Sequence, residues 1–135
     1  MNKWIAPAII VAAGMVAAAA WSQTPPVNNV VQYFTTPLEN DGSRIVRLQS
    51  VNIPPKGGTA FHRHPGDQWA AVQEGEITFT VRGQPPRLLK VGDSVYIPRG
   101  TIHRNQNLTD KPARSVELVI LDKDKPALEN VAESN

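Results

Sequence analysis

The chain has 135 residues with 14 basic and 12 acidic side chains, a formal charge of +2, and its bases are dispersed, so nothing electrostatic points to nucleic acid as a partner. The absence of cysteine excludes a disulfide framework, a thiolate nucleophile and a zinc finger. Twelve prolines and nine glycines in a single domain's length of chain point to an all-β fold with many turns.

In chain order, Lys3 forms a short positive region, Ile5 to Ala20 is an apolar run, and the chain turns polar from Gln23. That is the pattern of a secretory signal peptide over residues 1–22. Ala20 and Ser22 fit a cut before Gln23; Ala18 and Ala20 offer one before Trp21. The expected localisation is periplasmic or secreted, with no membrane segment left after cleavage. The alternative is an uncleaved anchor in the inner membrane, since Trp4 to Trp21 is almost long enough to span a bilayer.

Residues 23–43, rich in Pro, Asn and Thr, read as an extended arm with one β-like run, Val30 to Thr35. Arg44 to Ile53 is a strand candidate that ends at the Pro54-Pro55-Lys56-Gly57-Gly58 turn. Thr59 to His64 reads as the next strand, followed by the Pro65-Gly66-Asp67 turn. In Gln68 to Gln73 the period of two puts Gln68, Ala70 and Val72 on one face, with Trp69 on the other, where core packing is expected. Ile77, Phe79 and Val81 alternate with Thr78, Thr80 and Arg82, the clearest period-two signal in the chain. Arg87 to Val91, Val95 to Pro98, Thr101 to Gln106 and Ser115 to Leu121 complete the strands. Residues 123–135 are polar and are expected to form a loose tail. Residues 44–122, with short strands at even spacing, imply a sandwich or closed barrel of the jelly-roll kind.

The chain has three histidines, at 62, 64 and 103. Side chains two apart on a strand share a face, so His62 and His64 can aim at one point. With His103, they make a candidate metal site for a divalent transition ion such as Mn, Fe, Ni, Cu or Zn.

At these residues the chain resembles the cupin superfamily. Gly92, Pro98-Arg99-Gly100, His103 and Asn107 match one family motif throughout. His62-Arg63-His64 and Gly75 match the other, with its leading glycine displaced by one to Gly57 and Gln68 standing where glutamate is usual. The resemblance implies a single-domain cupin barrel in which His62, His64, Gln68 and His103 are the metal ligands. It also makes a homodimer through edge strands an expected arrangement.

Gln68 is the informative departure. An amide neither cancels metal charge nor accepts a proton as glutamate would, so the ion keeps its full charge as a Lewis acid. The His-x-His-Pro-x-x-Gln order resembles the manganese hydroxynitrile lyase-like cupins, although Asn105 stands where that group has a further histidine. The turn followed by Trp69 and Glu74-Gly75-Glu76 resembles small quercetinase-like cupins. Asn105, Gln106, Asn107, Tyr96 and Arg104 are neighbours that could touch a ligand. Together these imply an exported metal-dependent enzyme acting on a small oxygenated organic molecule, as an oxygenase or as a lyase or isomerase. The alternative is a non-catalytic cupin that binds or senses a metal or small ligand.

Overall fold

The computed structural model describes residues 28–133; the proposed signal segment and both cleavage positions lie outside the described residues. Ten strands follow one another: β1 Asn29–Leu38, β2 Asp41–Ile53, β3 His62–Arg63, β4 Gln68–Glu74, β5 Glu76–Val81, β6 Arg87–Lys90, β7 Ser94–Ile97, β8 His103–Gln106, β9 Ala113–Asp122 and β10 Glu129–Asn130. They form two five-stranded antiparallel sheets in the orders β1-β2-β9-β4-β7 and β10-β3-β8-β5-β6. The chain steps between the sheets at every connection except β1 to β2 and β5 to β6, the interleaving of a jelly roll.

The expected closed barrel is not formed. The hydrogen-bonded ladders end at β1 and β7 in one sheet and at β10 and β6 in the other, leaving a sandwich of two sheets rather than a ring. Short strands such as β3, with two residues, cannot carry a ladder around the corners. One end of the sandwich is filled by Val51, Ile53, Val72, Ile77, Phe79, Leu89, Val95, Ile97 and Ala113. The histidines lie beside this cluster, with the His103 ring 5.7 Å from that of Phe79.

Three further expectations change. The arm is a full strand: β1 pairs with β2 from Asn29↔Asn52 to Leu38↔Asp41. Glu39 and Asn40 close the hairpin, with Asn40 at a φ of 63°, a left-handed conformation asparagine tolerates. Pro37 fits because β1 is an edge strand, where a missing N–H costs no ladder bond. The tail is docked rather than loose over its described part. β10 pairs with His62 and Arg63, and the Val131 N–H donates to the Phe61 carbonyl at 2.8 Å, supplying the edge that short β3 lacks. Trp69 is 41% exposed. Because Gln68 faces inward, the two-residue period turns Trp69 outward, where it stacks on Tyr96 at 5.2 Å.

The turn between β3 and β4 is fixed by a close approach. A Cβ on Gly66 would run into the backbone carbonyl of Ile120, and the Ile120 N–H donates to the Asp67 carbonyl at 2.8 Å. Backbone on backbone leaves no flexible side chain to give way. Gly66→Ala should therefore cost about 2 kcal/mol or more, read by urea unfolding; a variant as stable as the parent would contradict this packing.

Candidate metal centre

The site is assembled by register. β3 and β8 are antiparallel neighbours with His62 directly opposite His103, so the two rings rise from the same face. His64 follows two residues after His62, just past the strand end, and its carbonyl accepts the Gly100 N–H at 3.1 Å. Gly100 adopts a φ of 76°, which places the Pro98-Arg99-Gly100 turn against the first histidine segment. The ring centroids are 5.0 Å apart for His62 and His64, 4.4 Å for His62 and His103, and 5.4 Å for His64 and His103.

Each imidazole is held by a backbone carbonyl. Nδ1 lies 2.9 Å from the Ala60 oxygen in His62, 2.7 Å from the Ala127 oxygen in His64 and 2.9 Å from the Thr101 oxygen in His103. A carbonyl can only accept, so each ring carries its proton on Nδ1 and leaves a lone pair on Nε2. The ligand atoms of the three rings lie within 4.8 Å of one another. The Nε2 atoms of His64 and His103 are buried with no hydrogen-bond partner among the described residues. Burial, opposed by the bond to Thr101, pushes His103 down to about 4. His62 is lowered too, first by burial and further by His64. Both rings are thus neutral near pH 7.

Gln68 lies on β4 in the opposite sheet and is 2% exposed. Its Nε2 donates to Glu117 at 2.9 Å. A carboxylate accepts and cannot donate, so the amide can turn only one way, and Oε1 is left buried without a partner. Glu117 is 3% exposed and also accepts from Gln49 Nε2 at 3.1 Å and Ser115 Oγ at 3.0 Å. This buried carboxylate has no cation among its hydrogen-bond partners in the described residues.

Asn107, Tyr96 and Arg104 are engaged away from the histidine rings. Asn107 is fully buried, but its amide donates to the carbonyls of Ile53, Pro54 and Lys111, stitching the loop after β8. Asn105 follows two residues after His103 on β8, opposite buried Phe79, and its N–H donates to Thr59 Oγ1 at 3.0 Å, while Gln106 bridges to Gly58 through its backbone. Tyr96 donates to Asp67 on the outer surface. Arg104 lies 4.6 Å over the Phe61 ring and pairs with Glu133. Sequence reasoning missed Glu117 and Gln49, and the carbonyl of Ala127 that holds His64. On β9 both alternating sets contain apolar residues; the signal was Glu117 in phase with Val119 and Leu121, which are the buried pair.

His64 borders two cavities. One, about 460 Å³, is lined by Arg63, Arg99, Lys125 and Leu128 among others. The second, about 290 Å³, lies within the sandwich between Arg47, Gln49, His64, Val119, Leu121 and Leu128. Leu128 lines both, so the docked tail forms part of the wall between them.

The cupin domain family model matches residues 49–120, more than half of the chain. The chain belongs to the cupin family. The cupin is 36% identical over 58 residues to dimethylsulfoniopropionate lyase DddQ of Ruegeria pomeroyi, a match covering 43% of this chain and 28% of that protein. The crystal structure of DddQ superposes with a TM-score of 0.57 at 28% identity, over 64% of this chain and 43% of that one. A cupin-like protein from Thermotoga maritima gives a TM-score of 0.59 at 26% identity, covering 77% and 75%. An oxalate oxidase in complex with glycolate gives 0.61 at 22% identity, over 81% and 57%, a likeness of fold alone. The matched part thus spans less than half of DddQ.

Between pH 6.5, the ordinary value, and about 4, the unfolded chain binds protons at His103 that the folded chain refuses. Stability therefore falls as pH falls through that window. Chelator-treated protein should show a declining melting temperature from pH 6.5 to about 4, and His103→Leu a shallower decline; identical slopes would contradict a buried neutral ring.

Proposed function

We propose that this cupin holds one divalent first-row metal, Mn, Fe, Ni, Cu or Zn, on Nε2 of His62, His64 and His103 and on Oε1 of Gln68, and acts as an enzyme on a small oxygenated organic molecule. The observation that carries the reading is the common orientation of the three rings, every Nδ1 tied to a carbonyl. Three neutral imidazoles and an amide oxygen are a donor set that first-row divalent ions accept. Coordination would also satisfy buried atoms that otherwise have no partner. When bound, the metal would supply Lewis-acid polarisation of a ligand oxygen.

The chain's own residues divide the remaining work. Ala60, Thr101 and Ala127 fix the ring tautomers, and Glu117 holds the Gln68 amide with its oxygen free. Glu117 also places one formal negative charge directly behind Gln68, so the charge that glutamate would have supplied at position 68 is moved back by one side chain rather than lost. Partners of this kind typically change metal affinity 10–100-fold. Lyase chemistry is favoured over oxygenation, because Gln68 is no base and one relative, DddQ, is named a lyase. The Ile5 to Ala20 run supports export, with metal taken up outside the cytoplasm. A second reading, a non-catalytic binder, is favoured by one observation: the residues lining the inner cavity include no carboxylate.

Metal analysis after reconstitution tests the site. About one equivalent per chain is expected, lost in His62→Ala and His103→Ala, and absence of metal from the wild type would overturn the reading. Gln68→Glu should bind more tightly, and Glu117→Gln about 10-fold more weakly; an unchanged affinity in both would remove Gln68 from the ligand set. Turnover assays of the loaded protein against small oxygenated acids, alcohols and flavonols separate enzyme from binder.

A further inference from the structure

We propose that Arg47 is the docking point for the carboxylate of a small organic monoacid that enters the inner cavity and reaches the histidine cluster. The inference extends the metal reading above to a substrate class. Arg47 on β2 is directly opposite Val119 on β9, and Val119 is directly opposite Gln68 on β4. Residues in direct register project to the same side of a sheet. Val119 and Gln68 are each 2% exposed, so the shared side is the interior, and Arg47 rises in the same transverse row as Gln68, two strand spacings or about 10 Å along the sheet.

No residue in the described part of the chain answers its charge. Arg44, Arg63, Arg99, Arg104 and Arg114 each have a carboxylate at 3.6 Å or closer, and Arg82 donates to the Ala132 carbonyl. Arg47 and the exposed Arg87 have no such partner among the described residues, and the Nε of Arg47, like that of Arg104, is buried without a hydrogen bond. Glu117, on the neighbouring strand one row away, is already taken by Gln49, Gln68 and Ser115. An inward guanidinium with an unsatisfied N–H is costly unless an anion meets it.

The cavity limits what that anion can be. Arg47 is the one arginine or lysine among its lining residues, and the apolar walls include Val30, Val119, Leu121 and Leu128. One fork of parallel N–H donors matches one carboxylate. At about 290 Å³ the space suits an acid of a few carbons. With its carboxylate on Arg47, a hydroxyl or carbonyl oxygen further along would face His64.

Lactate and its neutral isostere lactamide serve as probes, titrated calorimetrically into wild type, Arg47→Gln and Arg47→Lys after metal loading. All three should hold the same metal content and melt as folded proteins, since Arg47 is no ligand. Lactate affinity should fall about 10- to 100-fold in Arg47→Gln, less in Arg47→Lys, and lactamide should bind wild type weakly. Equal lactate affinity in wild type and Arg47→Gln, equal binding of lactate and lactamide, or no lactate binding to wild type would overturn the inference and leave the metal reading standing. If none of the proteins takes up metal, that reading falls instead, and the same titrations on metal-free protein still decide Arg47: arginine-dependent affinity supports the docking point, and its absence overturns it.

Discussion

The site depends on one repeated interaction, an imidazole Nδ1–H donated to a main-chain carbonyl. It occurs at His62 with Ala60, at His103 with Thr101 and at His64 with Ala127. A free imidazole interconverts its tautomers and rotates. A ring whose Nδ1 is committed to a fixed carbonyl does neither, so the direction of its Nε2 lone pair becomes a property of the backbone. Two of the three carbonyls lie two residues before their own histidine, so local chain geometry suffices. The third comes from the C-terminal segment, and it exists only because β10 docks on β3.

That dependence links the tail to the chemistry. The segment after β9 is polar and offers little apolar area, yet it is held by the β10–β3 ladder, by a fork from Arg63 to Glu129, and by bonds from Arg82 and Arg104 to the last described residues. The exposed ion pairs among these add little individually. Their joint effect is positional: they set Ala127 against His64 and Leu128 between the two cavities.

Strand existence was largely legible from the residues, because the period-two alternation of Ile77 and Phe79, or of Gln68 and Val72, is a local property that the sheets preserve. The histidine set was legible for the same reason, with His62 and His64 two apart and His103 in the second motif. What the sequence left open was pairing. Nothing local says that Asn29–Leu38 will find an open edge on β2, or that Glu129–Asn130 will complete β3. The face of β9 was ambiguous because Val116, Leu118 and Ile120 are as apolar as Val119 and Leu121. Sheet packing decides that phase, and with it whether Glu117 is a surface acid or the carboxylate behind Gln68. The carboxylate nearest the Gln68 amide therefore sits on another strand, where the local pattern did not mark it.

The central claim is that three rings present the same free nitrogen to one point. Long-range ¹⁵N–¹H correlation spectra of the histidine side chains in metal-free protein at neutral pH read the tautomers directly. The account predicts three rings protonated at Nδ1 and bare at Nε2, with all three Nε2 signals, and no Nδ1 signal, moving on addition of Zn²⁺. A ring protonated at Nε2, or zinc shifting only one of the three, would contradict it.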